Sequence, residues 1–293
     1  MLRMKNYPAV VTIEIRMMRF DYRSIMKSYI ITLWVGTLFC SCQPKYEMWT
    51  FDSEVSLGQI SPIGITKNSE GYWISDGDHN RLIQLNSELK VTKRQEGYDR
   101  PMHLVSHDET IYVPEYGADK ISVYASEKKD SLLIPFELDA PASIDVKGEQ
   151  IAIADFYHHR VLFFDGNDWI SMGQEGHEVG QLYYPTDVQI MQDKIAVADA
   201  YNNRIQLFSK EGNVLKEIGK DQKMNAATGI FANANEIYVT DFENDRILAF
   251  DYEGNMLQEF IQGLEKPTDV YVENNQLLVI NYKKKSIAKY TKK

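Results

Sequence analysis

One unit of about 40 residues, written six times, constrains this chain more than any other feature of its 293 residues. The stretch VADAYNNRIQLF from Val197 returns as ISDGDHNRLIQL from Ile74, VPEYGADKISVY from Val113, IADFYHHRVLFF from Ile153, VTDFENDRILAF from Val239 and VINYKKKSIAKY from Val279. A second mark fixes the register independently. Fourteen residues before the acidic position stand Pro62, Pro101, Pro141, Pro185 and Pro267, with Ala227 in the remaining copy, at spacings of 39 to 44 residues.

Within a copy the pattern is that of strands. In the fourth, PTDVQI, KIAVADA, RIQLFS and NVLKEIG alternate apolar and polar residues at period two, separated by turn formers such as Lys210-Glu211-Gly212-Asn213. Four short strands per repeat predict a propeller blade, a small twisted sheet that buries both faces only when blades stack in a ring. The fold class is therefore all-β, a six-bladed β-propeller over residues 46–293. The sixth copy ends one strand short after SIAKYT, and the segment at about 47–51 supplies a spare β-prone strand. It is expected to complete the last blade and close the ring, which makes Trp49 and Phe51 core residues.

Each repeat sets an acidic residue at the end of its second strand and a basic one at the start of its third. The pairs are Asp76 with Arg81, Glu115 with Lys120, Asp155 with Arg160, Asp199 with Arg204 and Asp241 with Arg246, and in the sixth copy Asn281 stands with Ser286. Both positions change character together, as a structural stitch across a hairpin does. As exposed pairs, each is expected to contribute under about 1 kcal/mol.

The body resembles the NHL-repeat six-bladed propellers over about 245 residues, from about Trp49 to the end. ADAYNNRIQLF is similar to the Asp, Asn-Asn-Arg, apolar-strand signature of that family, and GQEGHEVGQLYYPTDV (Gly173 to Val188) to its Gly-rich connector. Blades 2 and 6 depart from the pattern at Glu115/Lys120 and Asn281/Ser286. The resemblance implies the fold strongly and the function weakly, since such propellers serve as sensors, scaffolds, RNA-binding modules and a few enzymes.

Function in a propeller gathers at the mouth of the central channel. The residue two after each repeat's proline is a candidate for its lining: Gly64, His103, Ser143, Asp187, Gly229 and Asp269 in ring order. His103, Asp187 and Asp269 come from alternate blades. One imidazole and two carboxylates converging on an axis form a candidate site for zinc or calcium. The arrangement is loosely similar to the peptidyl-α-hydroxyglycine amidating lyases, NHL-type propellers that hold zinc through histidines of alternate blades. Aromatic residues that follow the acidic position, Tyr116, Phe156, Tyr157, Tyr201, Phe242 and Tyr282, are candidates for a binding rim. His79, His158 and His159 read as turn residues and His177 as solvent-facing. No phosphate-binding glycine loop, GxSxG elbow or HExxH helix occurs.

The N-terminus reads as an address. Met26 to Cys42 shows one lysine, an apolar run of 11 residues from Tyr29 to Phe39, then small residues around Cys40 and Cys42. At about 16 Å of helix this run is too short to span about 30 Å of hydrocarbon, and it fits a secretory signal. It resembles a bacterial lipoprotein signal, which implies lipidation of Cys42, anchoring to a membrane and a location outside the cytoplasm. Residues 1–25 read as an upstream extension. Cys40 and Cys42 are the only cysteines, so disulfides and thiolate chemistry are excluded from the body. After residue 41 the chain holds 26 basic and 40 acidic residues, a balance that argues against nucleic acid as a partner. The leading expectation is an exported binding module for a protein or small ligand. The alternative is a metal-dependent lyase or hydrolase at the channel mouth.

Overall fold

The computed structural model describes residues 47–292, and the segment expected to be a signal, with Cys42, lies outside them. Six sheets of four antiparallel strands form the ring. Blade 4 shows the unit: Pro185–Ile190, Lys194–Asp199, Arg204–Ser209 and Val214–Ile218 pair in sequence order. The cores lie between blades, where the two faces of adjacent sheets meet. Ala196, Ile205 and Leu207 of blade 4, for example, pack with Ile230, Val239 and Leu248 of blade 5.

Closure follows the expected route with a longer strand. Trp49–Ser56 pairs antiparallel with Ser286–Lys292 and becomes the outer strand of blade 6. Trp49 is buried and donates its indole N–H to Tyr238 of blade 5 at 2.9 Å, while Phe51 is half-buried against Tyr290. The first and last strands of the described residues thus meet in one sheet, and the ring has no open edge where it closes.

The acid–base stitches are corrected in one respect: they are not exposed. Asp76, Asp155, Asp199 and Asp241 have no accessible surface, and Glu115 has 2%. Each aspartate takes the Nε–H of its arginine at 2.7 to 2.8 Å. Its second oxygen accepts a backbone N–H from the loop entering the same blade: Ser61, Asp139, Tyr183 and Asn225 in turn. The carboxylate therefore pins three strands at one point, with Pro185 and Arg204 flanking Asp199 in register. In blade 2 the expected base is displaced, because Lys120 stays 3.9 Å from Glu115 while Lys129 of the outer strand reaches it at 2.7 Å. Blade 6 keeps the geometry without charge: Asn281 accepts the N–H of Glu265 at 3.1 Å and donates to Ser286 at 3.3 Å.

A further set of stitches joins blade to blade. The residue before each basic position, Asn80, Asp119, His159, Asn203, Asp245 or Lys285, has φ between +52° and +57°. Asn and Asp tolerate that left-handed conformation better than other side chains. Five of these side chains accept the N–H of the residue preceding the next repeat's first strand: Arg100, Ala140, Tyr184, Ala226 and Lys266, at 2.8 to 3.0 Å. His159 does so through Nδ1, which puts its proton on Nε2 and leaves the ring neutral.

Candidate functional site

At the start of five first strands the ladder skips a residue, as between Pro185 and Asp187 or Pro267 and Asp269. Such a bulge re-aims the side chain that follows it. The re-aimed residues are those two after the proline. Asp187 and Asp269 among them, with His103 at the same position of blade 2, are buried and offer ligand atoms that all lie within 4.8 Å of one another. They border a cavity of about 110 Å³ in the ring's central channel, together with Ser143, Asp145 and Gln189.

The two carboxylates are tied in by the same device. Asp187 Oδ2 accepts the N–H of Ile230 at 2.7 Å, and Asp269 Oδ2 accepts that of Ile65 at 2.8 Å, each reaching the next blade. Their other oxygens accept the N–H of the residue that follows, Val188 and Val270, and Ser143 Oγ donates to Asp187 Oδ1. In both cases the next blade presents glycine at the equivalent position. A Cβ on Gly229 would stand 2.3 Å from the Thr268 carbonyl oxygen and 2.9 Å from Asp269 Cα; one on Gly64 would stand 2.8 Å from His103 Cα. The glycines give the functional residues room, which the sequence reading missed. The signal was present as the alternation His, Ser, Asp, Gly, Asp, Gly around the ring, starting at blade 2.

His103 differs from its neighbours. Its imidazole is 3% exposed, its Nδ1 is 3.6 Å from Asp269 Oδ2, and neither ring nitrogen has a hydrogen-bond partner among the described residues. Burial disfavours the imidazolium, but the carboxylates of Asp187 and Asp269 outweigh it and hold the His103 pKa above its ordinary value. Burial pushes the Asp187 carboxyl up to about 6, with His103 opposing and Asp269 adding to the rise. Two carboxylates and an unbonded imidazole around a small cavity are a set of groups that could hold a divalent cation.

The rim aromatics fall into two groups on the face where the first strands begin. Tyr116, Phe156 and Tyr157 meet at ring-centroid distances of 5.0 to 5.9 Å, and Tyr184 continues the surface to Tyr201 at 4.9 Å. Tyr157 and Tyr201 are the exposed members, 48% and 61%. Tyr183 and Tyr184 belong to this surface and were not foreseen, because they sit in the connector and not in the repeat. Phe242 and Tyr282 stand apart and line a second cavity. Of the remaining histidines, His79 and His158 bond Asp76 and Asp155 through Nδ1 at 2.7 and 2.8 Å, as Asn202 and Asn244 bond Asp199 and Asp241 through Nδ2. His177 is exposed and contacts Asn202 at 2.6 Å.

No family model matches this chain, and no curated protein does. Solved structures do. Virginiamycin B lyase from Staphylococcus aureus, in a catalytically inactive form with quinupristin, is 16% identical over 83% of this chain and 99% of its own, with a TM-score of 0.62. A gluconolactonase from Xanthomonas campestris is 12% identical over 82% of this chain and 89% of its own, with a TM-score of 0.68. At such identities the likeness shows the six-bladed propeller fold, shared with structures of the streptogramin B lyase and gluconolactonase type.

Proposed function

We propose that His103, Asp187 and Asp269 hold a divalent metal ion, and that the ring is a metal-dependent lyase or hydrolase for a small molecule. On the same reading the protein is exported and anchored to a membrane through Cys42. The observation that carries the proposal is the buried His103 ring, unbonded at both nitrogens and facing two carboxylates at ligand distance. Burying such a set is costly unless its charge is compensated. One divalent cation compensates both carboxylates and uses the imidazole lone pair. The imidazole favours zinc or a similar transition metal over calcium, which prefers six to eight oxygens. Three ligands leave positions open, and a metal held this way supplies a Lewis acid for a substrate oxygen. Ser143 orients Asp187 through its hydroxyl, and the N–H groups of Ile65 and Ile230 fix the two carboxylates. That the same frame carries a lyase and a lactonase in other proteins supports an enzymatic reading.

The test is elemental analysis of the full chain purified without chelator, beside His103→Ala. The expected result is about one zinc per chain, lost in the variant while the unfolding midpoint is kept. A metal-free, well-folded protein would overturn the proposal.

A second reading, a non-enzymatic binding module, is favoured by the aromatic surface around Tyr157 and Tyr201. On that reading Tyr157→Ser with Tyr201→Ser abolishes partner capture and leaves metal content unchanged.

A further inference from the structure

The residue directly after the acidic position is aromatic in four blades, as Tyr116, Phe156, Phe242 and Tyr282. Blade 4 has Ala200, and there the connector tyrosines Tyr183 and Tyr184 pack against Tyr201. Blade 1 has Gly77, and around it lies a cavity of about 210 Å³ walled by Phe242, Tyr282 and Arg100. Its apolar lining includes Ile63 and Met102. Met102 and Thr268 line it too, each one residue before His103 and Asp269, so adjacent residues serve two different cavities.

The charged groups at this second cavity do not pair. Arg100 lies over the Tyr116 ring, 4.7 Å from its centroid, and has no carboxylate within 4.0 Å among the described residues. Asp78 is exposed, accepts the Tyr282 hydroxyl at 2.9 Å and has no cationic partner within 4.0 Å among them. A guanidinium and a carboxylate thus border one apolar hollow without pairing. The guanidinium fork suits a carboxylate, and Asp78 suits an ammonium group.

We propose that this cavity is a binding site for a zwitterionic α-amino acid with an apolar side chain, its carboxylate on Arg100, its ammonium on Asp78 and its side chain against Phe242, Met102 and Ile63. The site is independent of the metal proposed above. A hollow with few polar groups at fixed places is the usual form of a small-molecule site. Gly77 stands on the cavity's wall, at the position where four other blades carry an aromatic residue. The volume of about 210 Å³ is that of a single residue.

The experiment is calorimetric titration of the full chain, with and without chelator, using L-phenylalanine, 3-phenylpropionate and phenethylamine. L-Phenylalanine is expected to bind alike in both conditions, and each analogue at least about tenfold more weakly for want of one charged contact. Arg100→Gln should remove binding with an unchanged unfolding midpoint. Gly77→Phe, which introduces the aromatic of four other blades, puts its Cβ 2.9 Å from Ile63 Cγ1 and should displace that wall and also remove binding. No binding of L-phenylalanine up to about 10 mM, equal binding by an analogue, or full binding by Arg100→Gln would each overturn the proposal. Chelator-insensitive binding lost on Arg100→Gln stands whatever the metal analysis gives.

Discussion

Two rings of residues, one at the hairpins and one at the channel, are built from the same repeat and behave in opposite ways. At the hairpin the acid is kept in five blades and replaced by an isosteric amide in the sixth, and in every blade it accepts a backbone N–H from the loop entering that blade. At the channel the equivalent position reads Gly, His, Ser, Asp, Gly, Asp, and the partners differ. A position that every blade repeats answers a need that every blade has. A position that varies while remaining buried is released from that need, and there a site can be built.

The sharpest way to break this comparison is at the hairpin of blade 4. Asp199 accepts from Arg204, Asn202, Gln206 and the Tyr183 N–H, and Arg204 is itself buried, with Glu217 as its second carboxylate partner. Asp199→Ala leaves buried Arg204 with Glu217 as its one carboxylate and strips the Tyr183 N–H of its acceptor, and should cost about 3–5 kcal/mol in urea unfolding. Asn281→Ala, which strands no charge, should cost about 1–2 kcal/mol. Equal losses would mean that charge is not what distinguishes the blades.

The channel ring should show its character in the pH dependence of stability. Asp145 of blade 3 is pushed up to about 6 by burial, against the N–H groups of Ile190 and Val146, with Lys147 and His107 also opposing the rise. Its folded pKa lies above the unfolded value of 3.8, so between those values the native state binds the proton that the unfolded state has lost. Its contribution to stability therefore falls as pH rises from about 4 to about 6, by about 2–3 kcal/mol in all. Asp145→Asn should flatten that slope in unfolding curves taken across this window. An unchanged slope would refute the assignment.

The glycines test whether the channel has room to spare. Gly229→Ala drives a methyl group against the Thr268 carbonyl and Asp269, and should cost about 1–3 kcal/mol while displacing Asp269, a ligand in the proposed metal site. Metal content should fall in this variant and stay full in Asn281→Ala. That difference separates damage to the site from damage to the ring.

The repeat spacing made the blade number, the strand count and the closing segment legible in the sequence. It could not tell that the hairpin acids are buried, because alternation at period two reports the face of a sheet and not the loop folded over its end. Tyr183's N–H covers Asp199 from 16 residues away, a contact with no local signature. His103, Asp187 and Asp269 were identifiable by position. Their approach to within 4.8 Å depends on Gly64 and Gly229, whose meaning lies in a neighbouring blade. Phe242 and Tyr282 read as rim partners of Tyr116 because they share a position, but the gap at Gly77 separates the groups.

His159 gives the finest comparison, since it occupies a stitch position with a side chain that could do chemistry. Its Nδ1 accepts the Tyr184 N–H at 3.0 Å where Asn203 uses Oδ1 for Ala226 at 2.8 Å, both at positive φ. The ring also stacks on Tyr183 at 5.2 Å, a contact that asparagine lacks. If the residue serves the ring alone, His159→Asn keeps the acceptor and the favoured conformation and should shift stability by less than about 0.5 kcal/mol. His159→Ala loses the acceptor, strains the left-handed backbone and should cost about 1–2 kcal/mol. A loss on His159→Asn as large as on His159→Ala would show that stacking on Tyr183, and not the inter-blade bond, holds the histidine here. Blade 3 would then join the channel ring as a place where the repeat has been put to another use.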